Sequence, residues 1–118
     1  METEKAVKLI TATIRPWRLD DVREAVAAMG LQGMTISETE EYGVREPHTE
    51  VYRGAEYRVE WAGRIRLELA VDDVVVDQVV EAICNIARTG RRGDGRITVA
   101  PLAEALRIRT GEMGRDAL

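Results

Sequence analysis

Residues 7–14, VKLITATI, are rich in β-branched side chains, with Ile10, Ala12 and Ile14 on one face and Leu9, Thr11 and Thr13 on the other. That alternation predicts a first strand. Pro16 restricts Arg15 to extended geometry, and Leu19, Val22, Ala25, Val26 and Met29 then recur at helical spacing as far as Gly30. They predict a helix, with Asp20 and Asp21 near its positive end. Met34, Ile36 and Glu38 alternate with Thr35, Ser37 and Thr39, and Ile65, Leu67, Leu69 and Val71 alternate with Arg66, Glu68 and Ala70, giving two more strands. Asp72 or Asp73 is placed to cap a second helix carrying Val76, Val79, Val80, Ile83 and Ala87, with Gly90 as its stop. Ile97 and Val99 form a fourth strand.

The order β-α-β-β-α-β predicts an α+β fold of ferredoxin-like type, with both helices on one face of an antiparallel sheet. A chain of 118 residues with 45% hydrophobic content builds one domain, residues 1–118, around a single core. The opposite sheet face, with Leu9, Thr11, Thr35, Arg66 and Glu68, is mixed in character. It suits either water or a neighbouring subunit.

Charge and cysteine content narrow the function. A net charge of -4 and a pI near 5.1 provide no global positive field for a nucleic-acid backbone, so any anion site must be local. The single Cys84 excludes an internal disulfide and a cysteine-rich zinc cluster, which fits a reducing cytoplasm. The first eight residues are charged and hold no long apolar run, so the expectation is a soluble protein that meets a membrane only through a partner protein.

Three segments carry candidate chemistry. Residues 41–60, EYGVREPHTEVYRGAEYRVE, show no clean period, and a connection of this length in a compact domain points to a functional loop. Its arginines Arg45, Arg53 and Arg58, together with Tyr42, Tyr52 and Tyr57, offer charge and aromatic anchors to a protein partner. Residues 89–96, TGRRGDGR, place three glycines and three arginines before the last strand. Glycines let backbone N–H groups approach an anion and arginines neutralise it, although an ordinary turn with solvated arginines reads equally well from this segment alone. Arg107 and Arg109 in RIRTG alternate along a strand-like stretch, so both would face one side as a phosphate clamp, with a solvated strand face as the plain reading. The tail occupies about residues 107–118.

Other residues have structural explanations. Cys84 falls in the pattern of the second helix, as a small core or interface residue. His48 has no neighbouring acid or thiol arrangement for a triad. The acid pairs Asp20/Asp21 and Asp72/Asp73 fall at helix starts, where capping explains them.

Several blocks in order, LITATIRPWRLDDVREAV, GLQGMTISE, HTEVYRGAEY, ARTGRRGDGRI and ALRIRTGE, resemble the PII nitrogen-regulatory signal-transduction family over nearly the whole chain. The resemblance implies a cytoplasmic homotrimer, not an enzyme, that binds an adenine nucleotide (ATP, ADP or AMP) between subunits. A T-loop of about residues 40–60 would control a target transporter, such as an ammonium transporter, or a metabolic enzyme. It places Thr35 near the adenine, Glu68 near the ribose, and Gly93, Asp94, Gly95, Arg96, Arg107 and Arg109 around the phosphates, with Gly43 as a further nucleotide-binding residue. Within the loop, Tyr52, Arg53, Gly54, Ala55, Glu56 and Tyr57 match the family fully; Arg53 stands where members enter a transporter pore, and Tyr57 where some members are uridylylated.

The loop base departs from the family. After Gly43, members have Arg-Gln-Lys, whereas this chain has Val44, Arg45 and Glu46. The glutamine helps members hold magnesium with 2-oxoglutarate, and a lysine at the position of Arg64 contacts the oxoacid. Arg45 cannot ligate a cation, so magnesium and 2-oxoglutarate are not expected to bind synergistically with ATP, and Arg45 and Arg64 become candidate contacts for a small anion. Two alternatives stay open. One is a variant that senses adenylates and bicarbonate to regulate carbon or other membrane transport. The other is a slow nucleotide-hydrolysing enzyme, for which no general base stands beside the glycine-arginine segment.

Overall fold

The structure, a computed structural model, describes residues 6–31, 33–42, 48–52, 55–59 and 61–118, with the backbone alone at 48–52 and 55–59. Strand β1 runs Val7–Ile14, helix α1 Leu19–Ala28, and strand β2 Thr35–Tyr42; β3, His48–Tyr52, and β4, Ala55–Val59, precede β5, Trp61–Asp72. Helix α2 spans Val76–Ala87 and strand β6 Arg96–Pro101. One antiparallel sheet has the order β2-β5-β1-β6, and β3 pairs with β4 in a separate hairpin.

The register explains the core. Ile10 pairs with Leu69, Ala12 with Leu67 and Ile14 with Ile65, so these apolar side chains share one face. Val22 and Val26 of α1 and Val79, Ile83 and Ala87 of α2 pack on that face as one buried cluster. The α+β expectation with both helices on one side is the observed architecture. The opposite face stays partly open: Thr35 pairs with Glu68, Glu68 with Thr11, and Thr11 with Thr98, forming one polar row across all four strands.

Several local expectations change. The second and third predicted strands are longer than their alternation: β2 continues to Tyr42 and β5 begins at Trp61, where Tyr42 and Trp61 face each other with ring centroids 4.9 Å apart. The segment without a clean period contains the β3–β4 hairpin. HTEVY and AEYRV carry good strand formers, but polar residues interrupt their alternation. Gly43, Val44, Arg45, Arg53 and Gly54 lie outside the described residues.

Helix boundaries follow the acid pairs unevenly. Asp72 accepts from the Val74 N–H at 3.1 Å and so caps the turn that opens α2. Asp20 and Asp21 lie in the first turn of α1 without capping it, and Asp20 pairs instead with Arg23. Helix α2 ends at Ala87, because Arg88 is already extended; Gly90 belongs to the following loop.

The strand expected through RIRTG is absent. Leu106 pairs with Met113 as an isolated bridge, the Gly111 N–H donates to the Arg107 carbonyl at 2.7 Å, and the chain between them turns. Alternation therefore does not place Arg107 and Arg109 on one side. Thr110 and Glu112 provide the local reason: the Thr110 hydroxyl donates to Glu112 at 2.8 Å and accepts from the Glu112 N–H at 3.2 Å, which favours a turn over an extended strand.

Candidate functional site

The segment at residues 89–96 is a loop organised around Asp94. Its carboxylate accepts from the Thr89 N–H at 2.8 Å, the Gly90 N–H at 3.0 Å, the Thr89 hydroxyl, and Arg15 Nε–H at 3.1 Å. Burial pushes the carboxyl upward, but donation from Thr89, Arg15 and Gly90 outweighs it and holds Asp94 well below the usual carboxylate range. Asp94 therefore stays ionised and sets the loop's shape from within.

Arg15 is the residue of this candidate site that sequence reasoning missed, and it holds the loop from outside. Its only sequence signal is the local Pro16, which places it at the end of β1 in extended geometry. From there its Nη2 donates to the Arg92 carbonyl at 2.9 Å, and its guanidinium lies 5.5 Å from the Trp17 ring centroid.

Two glycines make the loop's approach possible. Gly95 has φ +103°, and a Cβ there would stand 1.7 Å from the Thr13 carbonyl oxygen. Gly93 has φ +92°, and its Cβ would stand 3.0 Å from Arg64 Nη2 and 3.5 Å from Arg15 Nη2. Only glycine fits both places without strain, and the bare backbone at Gly93 lies between two cations.

The sheet brings some of the remaining residues together. Thr35 and Glu68 are register partners on the open face, and Arg96, paired with Thr13, begins β6 one row along the same face. Glu68 also pairs with Arg66 at 3.3 Å. Arg107 lies instead in the tail turn, where it faces Glu112 at 3.4 Å and the main-chain oxygen of Leu118. A cleft of about 310 Å³ runs beside the loop, lined by Thr13, Cys84, Arg88, Asp94, Gly95 and Arg96 among others. Cys84 is half-buried on α2, as a packing residue would be.

Of the residues expected to meet a partner, Tyr52, Ala55, Glu56 and Tyr57 sit in the β3–β4 ladder, with Tyr52 opposite Ala55 and Glu50 opposite Tyr57. Among the described residues, no three His, Cys, Asp or Glu side chains stand together to hold a metal. No helix among them is long and apolar enough to cross a membrane.

The family model of the nitrogen regulatory protein P-II matches residues 7–112. The nitrogen regulatory protein P-II of Rhodospirillum rubrum is 48% identical over 112 residues, covering 95% of this chain and all of that protein. Its namesake from Haemophilus influenzae is 49% identical over the same length and coverage. Among solved structures, Arabidopsis thaliana PII bound to citrate superposes with a TM-score of 0.79 at 30% identity, covering 98% of this chain and 94% of that one. GlnK of B. subtilis superposes with the same TM-score at 32% identity, covering 96% and 99%. With the ferredoxin-like sheet, the glycine loop and these matches in register along almost its full length, the chain belongs to the PII family of nitrogen-regulatory signal-transduction proteins.

Proposed function

We propose that the chain is a trimeric, non-enzymatic regulator that binds an adenine nucleotide in clefts between subunits and signals to a target protein through a T-loop of about residues 40–60. The observation that carries this reading is the loop at residues 89–96. Asp94 shapes it from within, and it offers glycine backbone flanked by Arg15, Arg64 and Arg96. Fixed backbone N–H groups and guanidinium groups are the chemistry that holds phosphate oxygens.

The division of the site supports an intersubunit cleft. Thr35 and Glu68 line the open sheet face, where they suit the adenine and ribose, while Arg107 and Arg109 occupy the tail turn. A neighbouring subunit docked on that face would supply its own tail arginines to the phosphates. The exposed Leu106, Ile108 and Met113 give such a neighbour an apolar contact.

The target is a transporter or metabolic enzyme, reached through Tyr52, Arg53, Gly54, Ala55, Glu56 and Tyr57, with Tyr57 as a modification position. Arg64 contacts a small anion. No step of this reading runs through magnesium, since Arg45 replaces the metal-binding glutamine of relatives. Sensing of adenylates together with bicarbonate is a second form of the same reading, favoured by the buried Arg64 guanidinium. Isothermal titration of ATP, ADP and AMP, with and without magnesium, 2-oxoglutarate and bicarbonate, tests both forms. Saturable binding of at least one nucleotide per subunit supports the reading, and turnover at ordinary enzymatic rates contradicts it.

A further inference from the structure

Arg64 is the buried charged residue among the described ones, with 7% exposure. It stands on β5 opposite Thr39, and its Nη1 donates to the Gly63 carbonyl at 2.9 Å. Its Nε is buried and has no hydrogen-bond partner among the described residues. The acid facing it is Glu41, whose Oε2 is 3.7 Å from that Nε, close enough to neutralise the charge and too far to accept its proton. A buried N–H left without an acceptor is costly, and more so on a charged group.

The surroundings leave room for a second acceptor beside Arg64. A cleft of about 260 Å³ opens here, lined by Pro16, Glu38, Thr39, Glu40, Gly63 and Arg64 among others, so that Arg64 is the cation of a rim that also carries two acids, and a Cβ on Gly93 would stand 3.0 Å from Arg64 Nη2. A free carboxylate or bicarbonate can lay two oxygens along one edge of a guanidinium. Glu41 is tied to the β2–β5 ladder opposite Ala62 and leaves Nε unsatisfied.

We propose that Glu41 is an internal counter-ion of Arg64 that a small external carboxylate or bicarbonate displaces on binding, so that Glu41 sets the concentration at which this corner fills. The inference rests on the reading of Arg64 as a small-anion contact. Two effects of Glu41 act in one direction: its pairing with Arg64 must be broken, and once displaced its charge repels the arriving anion at close range. Glu41 keeps 35% exposure, so water receives it when it is displaced. It lies next to Tyr42, the last residue of β2, so the exchange takes place where β2 ends and the proposed partner-binding segment begins in the sequence.

The test titrates citrate, 2-oxoglutarate and bicarbonate separately into the full-length protein and its Glu41→Gln variant. Glu41→Gln should raise the affinity for at least one of them roughly five- to tenfold, the scale for losing a partly exposed ion pair together with a like-charge repulsion. Glu41→Asp, whose carboxylate stops one methylene short, should give a smaller gain in the same direction and serves if the first variant folds poorly. Adding Arg64→Met to Glu41→Gln should abolish the gain, and Glu24→Gln on the exposed side of α1 should change affinity by less than about twofold. Equal or weaker binding by Glu41→Gln, or a gain that survives Arg64→Met, overturns the proposal. Absence of anion binding in every variant overturns it as well, while ATP binding in the same samples decides the nucleotide reading separately.

Discussion

Arg15 Nε–H donates to the Asp94 carboxylate at 3.1 Å, joining the end of β1 to a glycine loop 79 residues further along the chain. The same guanidinium holds the Arg92 carbonyl, so one side chain fixes two points of that loop. Around this pair the loop keeps Gly93 facing Arg64 and Gly95 against β1. Catalysis is not required of such an arrangement; it presents donors and cations in fixed positions.

Replacing Asp94 by Asn should therefore loosen the loop. Four donors lose their charged acceptor, and the expected loss of stability is about 1–3 kcal/mol, measured by denaturant unfolding at neutral pH. The folded-state value lies below the ordinary 3.8, so the stabilisation is complete above about pH 5 and is lost as pH falls through 3.8 toward the lower folded value. Wild type should lose more stability than Asp94→Asn between pH 5 and pH 3, and parallel losses would contradict the assignment.

Gly95→Ala should be the more damaging of two glycine substitutions. Its Cβ would overlap the Thr13 backbone oxygen at 1.7 Å, and neither atom belongs to a flexible side chain. A loss of more than about 2 kcal/mol is expected by thermal or chemical unfolding. Gly93→Ala meets a guanidinium end instead, so it should cost about 1–2 kcal/mol from its positive φ while weakening small-anion binding.

The tail should prove weakly anchored within the subunit. Arg115 reaches Asp72 at 2.9 Å and Asp73 at 3.1 Å, but Arg115 is solvent-exposed and the two carboxylates are only half-buried, so the pairs are readily screened. Arg115→Ala should lower subunit stability only slightly and mainly increase amide exchange in the tail beyond Leu106, read by mass spectrometry. Unchanged exchange there would show that other contacts hold the tail.

Most of the fold was legible because burial and alternation coincide. Ile10, Ala12 and Ile14 on β1 and Leu67, Leu69 and Val71 on β5 are apolar on the core side and mixed on the other. The extensions of β2 and β5 beyond the core were illegible for the same reason: Glu40, Glu41, Ala62 and Gly63 pair without an apolar face. RIRTG read as a strand because two arginines alternate, while the Thr110–Glu112 hydrogen bonds that turn it carry no periodic signal. The candidate site was half legible. Thr35, Glu68 and Gly93 to Arg96 came from motif blocks, but the partnership of Arg15 with Asp94 spans too many residues for any local pattern.

The central claim is that the glycine-arginine loop and tail arginines together bind an adenine nucleotide between subunits. The most direct test is isothermal titration of ATP, ADP and AMP into the protein, Arg96→Ala and Arg107→Ala, with the oligomeric state read by light scattering. The account predicts a trimer that binds at least one of the three nucleotides, and a loss of about 1.5–3 kcal/mol in each variant, the scale of a lost charge-assisted contact. A stable monomer, or nucleotide affinity unchanged in both variants, would contradict it.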